Sequence, residues 1–474
     1  MDIPKNNHFD IIVIGAGAGG LNIASFANSI GLRVLLIDRS DERIGGDCLN
    51  FGCIPSKALL HAAHHVAAAH EASAYGLNLA GEINWQAIVA EIKGKQDIIR
   101  EHESADYFRA KGMMVVLGEA TFAGRNIVAV NGEQYKGKRV VIATGSKPRE
   151  LSVPGVEQVT VVNNETIFTM PMLPKRLLVL GAGPIGIEMA QAFCELGVAV
   201  VVIDPGAEIL GKEDKDLARE LRRQLEHKGV KFLLEHTLVS FSGASEARAT
   251  HNGEEVTISF DVILVSIGRV VDIRPLKPDA AGVMVDERGI PKLNQYLQTT
   301  NRSIFVCGDA AGQHQFTHAA ELHAGTIIRA MLMPLFKRPL NTDGMAWVTY
   351  TYPELATFGL SEAALKARSI SYEVLTFNLA DDDRSITAQA TGLSKLYVDS
   401  KKRILGGTML APRAGELIAE LSLAQKHGLT TTDLFSKVYP YPTFARINKQ
   451  IATIPARKQL TSRAKTLLRF LYRL

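Results

Sequence analysis

Two cysteines, Cys48 and Cys53, sit five positions apart in the run Gly45-Gly46-Asp47-Cys48-Leu49-Asn50-Phe51-Gly52-Cys53-Ile54-Pro55-Ser56-Lys57. Two thiols can be joined only when their Cα atoms come within roughly 4.4–6.8 Å. Positions five apart on an ideal helix lie about 8–9 Å apart and point in different directions. A bridge between Cys48 and Cys53 therefore requires a distorted turn, which Gly52 can supply and Pro55 can hold. Strained, exposed bridges are the reducible and catalytic ones. Two separate buried thiols would instead pack as small hydrophobes.

Glycines bring a second kind of chemistry. Residues 9–14 are an apolar, β-branched run of the type buried in a parallel sheet. They lead into Gly15-Ala16-Gly17-Ala18-Gly19-Gly20 and a helical stretch to about Ile30. A second strand, residues 33–37, ends in Asp38, eighteen residues after Gly20. Bare backbone at Gly15, Gly17 and Gly20 lets a pyrophosphate approach a helix N-terminus, where free N–H groups and the dipole favour anions. Asp38 would then accept hydrogen bonds from ribose hydroxyls. A glycine triplet alone is a weak signal; strand, helix and terminal acid in register make a strong one. The unit recurs, with a strand at 176–180, then Gly181, Gly183 and Gly186, a helix to about Leu196, and a strand at 198–203 ending in Asp204. Two dinucleotide cradles imply two nucleotides, for which a flavin and a nicotinamide are the natural redox pair.

A larger frame must position these pieces. At 474 residues the chain should hold about three domains. It is 46% hydrophobic and 22% charged, ordinary for a well-cored soluble protein. A net charge of +4 (53 basic minus 49 acidic) is too small to argue for nucleic acid as a partner. Cys194 and Cys307 bring the cysteines to four, far too few for a secreted disulfide scaffold. The polar start, residues 1–10, shows no signal peptide, and no apolar run reaches the ~18–20 residues of a membrane span. A cytoplasmic location is expected. The strand at 140–142 ends in the small turn Ala143-Thr144-Gly145-Ser146, residues 147–155 read as a crossover linker, and residues 261–269 repeat the strand-and-turn pattern through Gly268. Another strand, within 299–309, ends at Asp309. From about Ala346 the residues alternate between β-branched and aromatic, with one helix near 416–428, which suits an α+β module for dimer formation.

Together these residues resemble the flavoprotein disulfide reductase family, the class I pyridine nucleotide–disulfide oxidoreductases, with dihydrolipoamide dehydrogenase and mercuric-reductase-like enzymes the nearest in kind. The resemblance covers nearly the whole chain. It implies an α/β fold of two Rossmann-like domains, for FAD and NAD(P), plus a C-terminal α+β dimerisation domain. The boundaries would be 1–155 for the FAD domain, 156–275 for the NAD(P) domain, 276–345 completing the FAD site, 346–455 for the interface domain and 456–474 for a basic amphipathic helix. By the same resemblance Gly15, Gly17, Gly20 and Asp38 hold the adenosine half of FAD, Asp309 the ribityl chain, and Lys57, Ala143, Thr144, Gly145 and Gly268 complete the site. Gly181, Gly183, Gly186 and Asp204 would hold the nicotinamide cofactor. Cys53 would be the thiol nearest the flavin and Cys48 the outer thiol, with Lys57 paired to Glu188. Asp204 would repel a 2′-phosphate, and the first basic residue after it is Lys212, so NADH is favoured over NADPH.

Two features depart from the family. Where dihydrolipoamide dehydrogenase and glutathione reductase carry His-Pro-Thr and a later glutamate, this chain has Tyr441-Pro442-Thr443 and Arg446. A phenol is protonated at neutral pH and cannot act as imidazole does. Tyr441 is expected instead to donate a hydrogen bond or to line an anion or metal site, and turnover of dihydrolipoamide should be poor. His314, His318, His323 and His427 could stand in as the base, but each reads more simply as a packed or solvent-facing residue. Mercuric reductase presents a C-terminal cysteine pair to its metal, and this chain has no cysteine after Cys307. Capture of a soft metal substrate would fall to Cys48 and Cys53 alone; no resident metal site is expected. The leading acceptor is a metal ion or small oxidant, and the alternatives are a disulfide such as lipoamide, a quinone, or a redox-sensing role with weak turnover. The tail places Leu460, Ala464, Leu467, Leu468, Leu471 and Leu474 at helical spacing among Arg457, Lys458, Arg463, Lys465, Arg469 and Arg473. Such a helix either lies on the inner face of an anionic membrane or packs on its own subunit or a dimer partner.

Overall fold

The computed structural model describes residues 3–78 and 80–474; Met1, Asp2 and Leu79 lie outside the described residues. The chain divides into two compact units. One comprises Met1–Gly181, Ser240–Ala247 and Ile258–Asn341; the other comprises Ala182–Val239, Arg248–Thr257 and Thr342–Leu474.

In the first unit the strands run, in spatial order, Met114–Leu117, Val34–Asp38, His8–Ile14, Glu133–Ile142, Ile127–Val130 and Thr121–Gly124. The long strand Glu133–Ile142 pairs antiparallel with Ile127–Val130 along its first half and parallel with Ile304–Val306 along its second. Consecutive residues Ile12-Val13, Leu35-Leu36 and Val140-Val141 are all buried, as expected where both faces of a parallel sheet are covered. Register then fixes the site. Ile14 pairs with both Ile37 and Ile142, and Ile142 with Val306, so the segments leaving these strands emerge along one edge. Those segments are the glycine turn after Ile14, Asp38, Ala143-Thr144-Gly145, and Cys307-Gly308-Asp309. The same unit holds the parallel strands Val161–Val162, Val262–Val265 and Arg176–Leu180.

In the second unit Ala199–Asp204 pairs parallel with Lys231–Leu234. Its other sheet is antiparallel, in the order Ala346–Thr349, Glu354–Gly359, Ile404–Ala411, Leu393–Val398 and Glu373–Asn378. The helix Ala414–Lys426 buries Leu417, Ile418 and Leu421 in the same core as Phe358 and Met409. The single helix expected in this region is therefore joined by Glu362–Ala367, Asp383–Thr387, Thr431–Ser436 and Arg446–Gln459. The first three are too short to show a helical period, and what starts them is a cap: the side chains of Ser361, Asp382 and Thr430 each accept a hydrogen bond from a first-turn N–H. The tail also differs from the one helix expected over 456–474. Arg446–Gln459 stops at Leu460, and Thr461 caps a new helix, Ser462–Tyr472, by accepting from the Ala464 N–H at 3.3 Å.

Candidate functional site

The first glycine turn has the shape of an anion cradle. The helix Ala18–Ser29 begins at Gly17 with no side-chain cap, so its first N–H groups stay available. A methyl group on Gly20 would lie 2.0 Å from the Gly15 carbonyl oxygen, so only glycine lets the helix start this close to the turn. Asp38 at the end of the next strand accepts from the Ala16 N–H at 2.6 Å and the Arg39 N–H at 2.7 Å. Burial pushes its carboxyl up, and these two amides oppose the rise. The cradle thus suits a pyrophosphate at its helix end and a ribose beside its acid.

The cysteine segment is stitched directly to that cradle. Gly45 donates its N–H to the Ala16 carbonyl at 2.9 Å. Gly46, at φ +62, lies so close to Gly17 that an added methyl would sit 2.7 Å from the Gly17 Cα. From there a short helix, Gly46–Asn50, carries Cys48; the chain breaks at Phe51 and Gly52; and the long helix Cys53–Glu71 begins at the second sulfur. The break is tight, since a methyl on Gly52 would lie 2.9 Å from the Asp47 carbonyl oxygen. Pro55 falls in the first turn of the long helix, where its missing N–H is harmless. Outside the turn, the helix Trp85–Arg100 braces it. Gln96 donates to the Leu49 and Asn50 carbonyls at 2.8 and 3.0 Å, and Arg100 to the Asn50 amide oxygen at 2.6 Å.

Cys48 and Cys53 are free thiols here, hydrogen-bonded to one another. The Cys53 thiol is held down to about 6, first by the hydrogen bond from Cys48, then by the Thr317 hydroxyl and the charge of Lys57, against the opposing effect of burial. Thr317 Oγ1 lies 3.3 Å from the Cys53 sulfur. Lys57 is half-buried one turn further along the same helix. Cys48 moves the other way, because its proton is the one shared with Cys53 and burial adds to the rise. The other two cysteines shift the same way as Cys48. Burial pushes Cys307 up to about 12 and raises Cys194. Cys307 packs where a methyl on Gly19 would come within 2.5 Å of its sulfur.

Asp309, expected from sequence, sits in a network that was not. Ser146 Oγ donates to Asp309 at 2.6 Å, and Arg269 Nε donates to Ser146 Oγ at 2.6 Å. The Arg269 guanidinium lies 3.7 Å from Asp309 and is also paired with Asp47, the neighbour of Cys48. Burial raises the Asp309 carboxyl; the Ser146 hydroxyl and Arg269 oppose the rise. Ala143 donates to the Ile14 carbonyl at 2.7 Å, which sets Thr144 and Gly145 at the same edge. Gly268 accepts from the Arg149 N–H at 3.0 Å, where Arg269–Val270 pairs with Lys147–Pro148.

The division between units falls just after Gly181. In the second unit the helix Pro184–Glu195 starts at Gly183 without a side-chain cap, and Gly186 is buried on it. Asp204 repeats the arrangement of Asp38, accepting from the Ala182 N–H at 2.8 Å and the Gly206 N–H at 2.7 Å. Arg219, on the helix Lys215–His227, is paired with Glu208 at 2.7 Å. Glu188 is buried rather than solvated and accepts from the Tyr350 N–H at 2.8 Å. Tyr441 is 65% exposed, donates to Asp383 at 3.2 Å, and carries the Arg446 guanidinium 5.0 Å from its ring centre. His314, His318 and His427 are exposed. His323 is buried, its Nδ1 accepts from the Gly308 N–H at 3.2 Å, and burial lowers it to about 4, so it is neutral.

Two glycine cradles and a pair of adjacent thiols are the parts that a nucleotide-dependent oxidoreductase working through a cysteine pair would need. Residues 9–324 match the pyridine nucleotide-disulphide oxidoreductase family and residues 345–451 match its dimerisation domain, and the chain belongs to that family. Its enzymes carry FAD and use pyridine nucleotides. The chain is 33% identical over 455 residues to a dihydrolipoyl dehydrogenase from Mycoplasma pneumoniae, covering 94% of this chain and 98% of that protein. It is 32% identical over 451 residues to a mercuric reductase from Bacillus cereus, covering 93% of this chain and 70% of that protein. The HOCl-induced flavoprotein disulfide reductase RclA from Escherichia coli shares the fold, with a TM-score of 0.84 and 24% identity over 94% of this chain and 99% of that one.

Proposed function

We propose that this protein is a homodimeric FAD enzyme that passes electrons from NADH through Cys53 and Cys48 to a metal ion or other small oxidant. Gly15, Gly17, Gly20 and Asp38 would hold the adenosine half of FAD, Asp309 its ribityl chain, and Gly181, Gly183, Gly186 and Asp204 the nicotinamide nucleotide. When bound, FAD supplies the two-electron relay between pyridine nucleotide and sulfur pair. The protein's own groups do the rest. Cys53 keeps a negative charge on the inner sulfur at neutral pH, Cys48 supplies its hydrogen bond and then the outgoing sulfur, and Lys57 favours the charge.

The acceptor class follows from proton balance. A disulfide acceptor takes up two protons with its two electrons and needs a proton donor beside the outer sulfur. A metal ion captured by thiolates takes electrons alone, its protons having left when the thiolates formed. The observation that carries the reading is Tyr441: its hydroxyl is spent on Asp383 and its ring is covered by Arg446, so no imidazole base stands there. The relatives named dihydrolipoyl dehydrogenase favour a disulfide substrate as the second reading. Steady-state NADH oxidation with Hg(II), Cu(II), lipoamide, glutathione disulfide and a soluble quinone separates the two. Lipoamide should run roughly 100-fold or more below the best metal ion, the usual worth of a general base. Comparable rates would favour the second reading.

Asp204 and the pairing of Arg219 with Glu208 support NADH. The expected kcat/KM for NADH exceeds that for NADPH by roughly ten-fold or more, since like charges brought together cost several kcal/mol. A preference for NADPH would reverse the assignment.

A further inference from the structure

The chain's last helix lies outside everything the family explains. The dimerisation-domain match ends at residue 451, and Ser462–Tyr472 follows it after the break at Leu460 and Thr461. This helix buries none of its residues. Ala464, Leu467, Leu468 and Leu471 fall on one face at helical spacing, Arg463 and Lys465 flank that face, and Arg469 and Arg473 lie behind it. Leu467, Leu468 and Leu471 are each more than half exposed, as are Phe470, Tyr472 and Leu474. Charge is as one-sided as the leucines. After Asp433 the chain contains no further acidic residue, and Arg463, Lys465, Arg469 and Arg473 are in no ion pair among the described residues.

We propose that this helix is a docking element for an anionic lipid surface, lying in the plane of the headgroups with its leucine face inward. Lipid suits both halves of the helix. Acidic headgroups answer Arg463 and Lys465 at the flanks of that face, and the acyl boundary answers the leucines, with Phe470 and Tyr472 suited to the interfacial zone. A nucleic acid would meet the cations but leave the leucine face in water. A second copy of the helix would cover the leucines but bring Arg463 and Lys465 of each chain together without a counter-charge.

The test uses the full-length FAD-loaded protein and flotation with phosphatidylcholine vesicles, with and without phosphatidylglycerol. The intact protein is expected to float with the anionic vesicles, to stay behind with the neutral ones, and to be released by high salt. Each basic residue at an anionic surface is worth roughly five-fold in partitioning. Arg463→Glu with Lys465→Glu, the pair that flanks the leucine face, should therefore weaken binding by roughly 25-fold or more. Leu467→Glu with Leu471→Glu, and a chain ending at Gln459, should not float. All three should keep the NADH-dependent activity and the sedimentation of the parent. Failure of the intact protein to float with anionic vesicles at low salt overturns the proposal, as does equal flotation of the variants. A change in oligomeric mass in the leucine variant, or duplex DNA that displaces the protein from vesicles, also overturns it. None of these outcomes depends on which acceptor the redox site uses.

Discussion

Replacing Cys53 or Cys48 with serine is expected to remove turnover with every acceptor, by roughly 10³-fold or more, while leaving FAD bound and the protein folded. Serine fits the space of either thiol, so the loss is chemical rather than structural. The two variants should nonetheless differ. In Cys48→Ser the new hydroxyl can still donate to Cys53, so a thiolate persists beside the cofactor site. In Cys53→Ser the sulfur at the helix start, the one held down to about 6, is gone. Anaerobic titration checks this: each variant should consume roughly one NADH equivalent fewer per subunit than the parent, because the sulfur pair can no longer be reduced. A thiolate-dependent long-wavelength absorbance of the bound flavin should survive in Cys48→Ser and vanish in Cys53→Ser. Full turnover in either variant would remove the sulfurs from the electron path.

Thr317→Val should move the acid limb of the rate profile upward. The Thr317 hydroxyl 3.3 Å from Cys53 favours the thiolate, and a hydrogen bond to a charged group contributes about 1.5–3 kcal/mol. At about 1.36 kcal/mol per pKa unit, its loss raises the Cys53 thiol by about 1–2 units. The parent's kcat/KM should therefore fall below a midpoint near 6, and the variant's below roughly 7–8. Rates at pH 6 should differ by roughly five- to fifty-fold and converge above roughly pH 9. Thr317→Ser keeps the hydroxyl and should keep the parent profile, which a merely structural role would not require. Stability follows the same sign. A thiol depressed from about 8.5 in the unfolded chain contributes stability that is fully present above that value and is lost as pH falls through about 6. Valine shrinks that contribution.

The site was legible in sequence wherever its logic is local. The glycine turns, Asp38, Asp204 and the cysteine run declare themselves because each needs particular residues at fixed short spacing. Thr317 and Arg269 do not. Thr317 reaches Cys53 across 264 positions and Arg269 reaches Asp47 across 222, and a lone threonine or arginine carries no spacing signal. What joins them is the parallel register that brings Ile14, Ile142 and Val306 level, which no single strand encodes. The short helices of the second unit were hidden for another reason: a helix of five or six residues has too few turns for periodicity, and only its cap betrays it. The tail's amphipathic face was visible, whereas its start was not, because Thr461 caps a helix in the middle of an apparently continuous pattern.

The hydrogen bond from Gly45 to Ala16 and the contact of Gly46 with Gly17 have a thermodynamic consequence. The turn bearing the sulfurs cannot open without also opening the loop beneath it, so the two form one cooperative unit of local unfolding. Whatever ligand steadies the loop steadies the spacing of the sulfurs by the same free energy. A nucleotide bound at the loop therefore also raises the cost of opening the turn that bears the sulfurs.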